Sequence, residues 1–467
     1  MLLVVIVSSL GLAASTFGEP EIRTPLPDEE HDEEVSDIST LRDRLANPTV
    51  TISLHITGPI SFSQNRIVIA RGMSVTLWGD PSVAVLDAVN QSTLGNDFPG
   101  VLDVLGKLYL NGVSVRGATR SVGWIGGCIR TQRDGSEPWL FIRNSRISGC
   151  SVEGGGGGGM LVLAGTAIVW DSAIENTTVI STNANTRGGG IGVQAGELNL
   201  RNVRFSGTRV ETVEALAYGG GLAVWGTGRA LLDTVTFTGC SATSENFQAF
   251  GGGLGVTGGR VNATHVRFEA THVQSGSQSA FGGGLGMDNG QVWMQDAVFV
   301  DPRADCVSWY GAGGAIGLFG GKLNVRGLLI DGATAFSAEH RAFGGAVVVF
   351  NGGEAFLADG DITRANATSA HHEAFAGAVG VHMESGSDDD DLGDVVSFLS
   401  LANVRITDTT LAGALNRTGL VINVQYARLT TAAVHIAQRC EAEDTGTYLI
   451  DETHSDANFV LPLRNLR

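Results

Sequence analysis

The chain has 467 residues, of which 66 are Gly, about twice the ordinary share, while 43% are hydrophobic and only 17% charged. That balance excludes wholesale disorder, which needs low hydrophobicity and high charge, and the glycines lack the three-residue period of collagen. A net charge of −18, with 30 basic against 48 acidic residues, excludes a nucleic-acid binder that works by neutralising phosphates.

In chain order, residues 1–18 read as a signal peptide. Residues 2–14 are an apolar run of the right length, and small residues follow at Ala13, Ala14 and Ser15. The run is too short to span a bilayer, and no later segment is apolar for long enough. The mature chain is therefore expected to lack a transmembrane anchor and to be secreted or held at the cell surface. Five sequons fit export, at Asn90, Asn176, Asn262, Asn366 and Asn416, and make a glycoprotein. Residues 19–38 are acidic and Pro-rich and read as a solvated linker. Residues 39–46 follow as a short helix that Ser39 or Asp37 could cap, with Leu41 and Leu45 on one face. A solenoid must cover its open end, because an unpaired edge is an aggregation template, so this helix is expected to be the N-terminal cap. Irregular early rungs run from Thr49 to Thr119.

A period then takes over. Glycine clusters begin at Gly126, Gly157, Gly188, Gly219, Gly251, Gly282, Gly313 and Gly344, with a degenerate one at Ala376, spaced 31 or 32 residues apart. Between them apolar residues alternate, as in Leu198-x-Leu200-x-x-Val203-x-Phe205, which is a strand period and not a helical one. The expected fold is all-β: a single-stranded parallel β-helix over residues 39–440, with regular repeats in 126–410 and a cap or tail in 441–467. Gly188, Gly219, Gly251, Gly282, Gly313 and Gly344 then serve as corners where stacked turns leave no room for a Cβ or need φ > 0. An aromatic often precedes the cluster, at Tyr218, Phe250, Phe281, Phe343 and Phe375. These rings are expected to stack as an internal ladder, a sugar-binding stripe being the other reading.

Aligned rungs give an outward column Arg143, Asp171, Arg201, Asp233, whose alternating sign suits a structural ion-pair ladder between in-register strands. A neighbouring column reads Arg146, Ala173, Arg204, Thr236, Arg267, Val298, Leu329, Asp361. Near the end an insertion carries Asp388, Asp389, Asp390, Asp391 and Asp394. It is either a flexible acidic loop or an oxygen-rich Ca²⁺ site, and no other cofactor is implied. Five cysteines (Cys128, Cys150, Cys240, Cys306, Cys440) form no recognisable disulfide framework and read as small buried hydrophobes. His340 and His371-His372 fall in equivalent loops of successive rungs, where stacking could create a weak metal site.

The tetrapeptides Gly313-Gly-Ala-Ile316 and Gly344-Gly-Ala-Val347, with their Gly-Gly-Gly-Leu relatives, resemble the repeats of polymorphic outer-membrane proteins. More broadly, about residues 50–430 resemble the pectin-lyase-like right-handed β-helix superfamily. The resemblance implies a right-handed parallel β-helix and a surface-exposed or adhesive role. The first family's FxxN motif does not recur with the repeat here, and the Asn-Thr-Asp and Gly-His-Gly motifs of the superfamily's hydrolases are absent. Two functions follow: a non-catalytic adhesion or structural scaffold whose partner is an extracellular polysaccharide or surface protein, or a polysaccharide lyase, epimerase or glycoside hydrolase acting on acidic glycans. With no rung concentrating catalytic groups, no catalytic residue is assigned.

Overall fold

A computed structural model describes residues 33–46, 51–61, 67–88, 101–117, 119–122, 126–132, 137–382, 397–413, 417–418, 421–425, 428–437 and 450–453. The chain is a parallel β-solenoid, every strand pairing in register with its equivalent one rung away. One rung contains a ten-residue strand Glu197–Ser206, a four-residue strand Arg209–Thr212, a two-residue strand Ala217–Tyr218, the glycine corner 219–221 and a strand Leu222–Trp225. Stacking these across rungs builds four sheets, here called first to fourth in that order.

The long strand explains the double gap in its sequence pattern. Leu198 and Leu200 point inward, and so do Val203 and Phe205, all buried. Between the two pairs lies Asn202, whose φ of +52° inserts one left-handed residue and resets the inward alternation while the strand bends. Every regular rung repeats this, with Asn144, Asp171, Thr234, His265, Asp296, Gly327, Asp359 and Asn403 in the same left-handed place. Asn, Asp and Gly dominate the column, as the sterics of φ > 0 require. Inside, Phe205, Phe237, Phe268 and Phe299 stack face to face at 4.6–5.0 Å between centroids.

The glycine corner is tight for two separate reasons. Its first residue is left-handed, and at Gly251 an added Cβ would overlap the carbonyl oxygen of Leu254. Its third residue faces the core. At Gly253 a Cβ would come within 2.5 Å of the Phe268 ring. Where the cluster ends in Ala315 or Ala346, the core residue in the Phe268 column is Ile330 or Ile362. The extra methyl in the corner is matched by a smaller side chain opposite, which preserves core volume.

The second and third sheets project as a thin arm, its inner faces lined by small residues such as Ala242, Ala249, Ala280 and Ala304. At the arm's turn a column of hydroxyls is buried. Ser244 Oγ donates to the carbonyl of Ala215 in the rung before (2.7 Å) and accepts from its own rung's Phe247 N–H (3.0 Å). Ser275 and Ser337 repeat the pattern, and Cys306 takes the same place with a sulfur.

The aromatics before the corners fold back onto the outer face of the fourth sheet and form a second apolar core. Tyr218, Phe250 and Phe281 stack at 5.1 and 5.2 Å, and Phe343 stacks on Phe375 at 4.9 Å. The ladder has a gap at Ala312, filled by Phe350, which sits edge-on to Phe281 and Phe343. These rings are buried, so the stripe is packing and not an exposed sugar platform.

At the N-terminal end the helix spans Ile38–Leu45. Asp37 caps it by accepting from Thr40 N–H, and Leu41 is buried in the main core. The solenoid begins earlier than the acidic composition suggests, because Glu33–Val35 forms a strand parallel to residues 54–56. It also runs past residue 440, since Ile450–Thr453 pairs with Ile422–Gln425 in the fourth sheet. The signal-peptide residues 1–18 and the linker up to residue 32 lie outside the described residues.

Candidate functional site: an open trough along the first sheet

The left-handed residue bends each long strand, and stacked bends make a trough parallel to the solenoid axis. Its openings are lined by three columns, the left-handed position and the two residues after it, and the residue before the left-handed position stands beside them on the first sheet. The trough opens at two places. Near the first rungs it has a volume of about 660 Å³ and is lined by Ser114, Asn144, Arg146, Asp171, Ala173 and Asn202 among others. Further along, a space of about 550 Å³ is lined by Asp296, Leu329, Asp359, Asp361, Arg405 and His435 with their neighbours.

The columns correct the register expected for the charge ladder. Arg143 and Arg201 flank Trp170, not Asp171. Asp171 is the left-handed residue beside that column, with φ +48°. Two ion pairs nonetheless form, Arg143 with Asp171 at 3.4 Å and Arg201 with Asp233 at 4.0 Å. A simple count of alternation does not show the extra residue at each bend, and Asp171 stands one position beyond the Arg143–Trp170–Arg201 column. The second column is in register as read, Arg146, Ala173, Arg204, Thr236, Arg267, Val298, Leu329 and Asp361 pairing in turn.

In the later opening the carboxylates are engaged. Asp359 accepts from Asn403 Nδ2 and Arg326 Nε, each at 3.0 Å, and these bonds hold its carboxyl below the usual range. Asp361 accepts from Arg405 at 2.7 Å. His265 bridges two rungs, 3.6 Å from Asp233 and 3.5 Å from Asp296. A different carboxyl is perturbed the other way. Asp288 lies against the second apolar core, where burial raises its pKa while the Tyr218 hydroxyl donates to it at 2.9 Å. Arg187 stands over the Tyr218 and Trp225 rings at 5.5 Å. This cluster leaves no sequence signal because its members lie up to three rungs apart.

The remaining expectations fall as follows. Gly188, Gly219, Gly251, Gly282, Gly313 and Gly344 occupy the first, left-handed place of successive corners. Asn176 and Asn262 are exposed, whereas Asn366 is half-buried and accepts from Thr368. Asn90, Asn416, Asp388, Asp389, Asp390, Asp391 and Asp394 lie outside the described residues, as does Cys440. Cys128 and Cys150 form a disulfide, contrary to their reading as separate buried thiols. Cys128 replaces the third corner residue, which faces the core near Cys150, a proximity that a spacing of 22 does not reveal. Cys240 and Cys306 are buried free thiols, each pushed up to about 11 by burial. His340 and His372 stack at 4.9 Å with near-parallel rings, so their nitrogens lie side by side instead of converging. Among the described residues no group of three or more His, Cys, Asp or Glu gathers to hold a metal ion, and no helix is long and apolar enough to cross a membrane.

No protein-family profile and no curated protein matches the chain. Among solved structures it is similar to the catalytic domain of a GH87 alpha-1,3-glucanase in complex with nigerose, at 12% identity and TM-score 0.33, over 92% of this chain and 69% of that one. A complex of such a domain with tetrasaccharides gives 12% and 0.32, over 85% and 68%. The Siphovirus 9NA tailspike receptor binding domain gives 9% and 0.25, over 94% and 79%.

Proposed function

We propose that the protein is a secreted or cell-surface β-helix that holds an extracellular polysaccharide along its trough and does not cleave it. The observation that carries this reading is the state of the trough's acids. Glycoside cleavage by paired carboxylates needs one of them protonated at working pH, and Asp359 is instead held ionised by Asn403 and Arg326. Asp361 accepts a hydrogen bond from Arg405, and Asp233 lies 4.0 Å from Arg201. A repetitive trough with two openings spread along the axis suits a chain-like ligand better than a small one. Binding to a panel of immobilised polysaccharides, with no change in their chain length after long incubation, is the expected result. Depolymerisation would overturn the non-catalytic part.

One observation favours a second reading. Asp359, Asp361 and Arg405 line one 550 Å³ space on adjacent rungs with His435, the composition a polysaccharide-active enzyme would need. Incubation with pectate or alginate plus Ca²⁺, followed by ultraviolet absorbance of unsaturated products, separates the two. Activity abolished by Asp361→Asn would establish the enzyme.

A further inference from the structure

We propose that the first half of the trough, from Trp139 to Glu269, binds an anionic polysaccharide laid along the solenoid axis and selects chains with one acidic group per disaccharide. This rests on the polysaccharide-binding reading above and names the ligand class and the residues that recognise it.

The corrected register carries the argument. In the column before the bend, Arg143 and Arg201 stand two rungs apart with Trp170 between them. In the column beyond the bend, Arg146, Arg204 and Arg267 also stand on every second rung, separated by the small Ala173 and Thr236. Rungs repeat at about 4.8 Å, so guanidinium groups recur at about 9.6 Å along the axis. That pitch is close to the length of one disaccharide in an extended pyranoside chain. The intervening small residues leave space for the uncharged sugar of each pair.

Charge and chemistry agree with the spacing. The chain as a whole carries −18, yet over this half the column before the bend, the left-handed column and the column two beyond it gather five Arg against Asp171 and Asp233. Arg204 is exposed and makes no ion pair among the described residues. Arg146 and Arg267 are paired with Glu175 and Glu269 at the trough margin, and such exposed pairs exchange partners at little cost. Guanidinium forks match carboxylate and sulfate geometry. Trp170 is half-buried between the two Arg of its column, with Arg201 over its ring at 5.9 Å and an indole N–H that has no hydrogen-bond partner. Duplex DNA fits poorly, since it carries a charge every ~1.7 Å of axis, far denser than this array, and meets an acidic protein.

The full chain is titrated by calorimetry at low salt with hyaluronate (one carboxylate per disaccharide), polygalacturonate (one per sugar), neutral dextran and duplex DNA. Hyaluronate is expected to bind tightest, with affinity falling steeply as salt is raised. The triple variant Arg146→Gln, Arg204→Gln, Arg267→Gln is expected to lose roughly tenfold or more and to flatten the salt dependence. Arg204→Gln alone loses severalfold, and Lys322→Gln, in a different column, binds as wild type. Thermal melts of each variant report the fold. Tighter binding of polygalacturonate or DNA, or a folded triple variant that binds hyaluronate unchanged, overturns the proposal. Dextran bound as well as hyaluronate, independent of the Arg set, overturns it while leaving the scaffold reading standing. Binding to none of the glycans removes both.

Discussion

Two corners of each rung adopt the same left-handed backbone, and the chain treats them in opposite ways. The corner after the arm holds Gly157, Gly188, Gly219, Gly251, Gly282, Gly313 and Gly344, with Ala376 in the rung next to the insertion. The corner at the end of the long strand holds Gly149, Asn176, Gly207, Gly239, Ala270, Asp301, Gly332, Arg364 and Asp408. Their φ angles overlap, so conformation alone does not dictate glycine. Surroundings do: a Cβ at Gly251 would overlap backbone, whereas one at Gly149 or Gly239 would meet nothing within 4 Å. A conserved-looking glycine period thus marks crowding against the neighbouring strand. The uncrowded corner is free to vary, and it places Asn, Asp and Arg on the surface.

The contrast can be broken by substitution. Gly251→Ala adds a left-handed strain to a backbone overlap and should cost about 3 kcal/mol or more, read from denaturant midpoints; a cost under half of that would mean the corner can relax. Gly253→Ala should cost about 2 kcal/mol by crowding Phe268. Combining it with Phe268→Ile should recover part of that loss relative to the sum of the single changes, because the pair then copies Ala315 with Ile330. Strict additivity in the double-mutant cycle would refute the volume match. At the open corner, Gly239→Ala should cost only about 1 kcal/mol, and Gly239→Asn less.

The smallest effect is electrostatic. Arg364, a left-handed residue of the open corner, donates to both oxygens of Asp331 at 2.7 Å and lowers its pKa below 3.8. A carboxyl depressed in the folded state contributes stability above its unfolded pKa and loses it as pH falls through the folded value. Arg364→Ala should therefore be slightly less stable than wild type at neutral pH, and the difference should vanish on acidification below the carboxylate range. A difference that persists in acid would assign the effect to packing.

The rung length, the parallel stacking, the capping helix and the buried aromatic ladder were all legible, because each leaves a periodic or capping signature in the sequence. The arm was not. Its two sheets meet through alanine faces, and alternating Ala with Ser or Thr reads as no particular structure. The bends were present as a double gap between inward pairs, yet the gap does not say which residue is the extra one. That single uncertainty shifted Asp171 into a column that belongs to Trp170 and hid the Arg-Trp-Arg arrangement. The Cys128–Cys150 bond and the Asp288–Tyr218 contact were unreadable for another reason, since each joins positions whose proximity depends on how the coil closes.

The hydroxyl column of the arm stitches successive rungs together, each Ser donating a hydrogen bond to a carbonyl of the rung before and accepting one from an N–H of its own turn. Cys306 breaks the uniformity of that stitching. A thiol is a weaker donor than an alcohol, so the stitch between the Gln278 and Trp309 turns is weaker than those made by Ser244, Ser275 and Ser337.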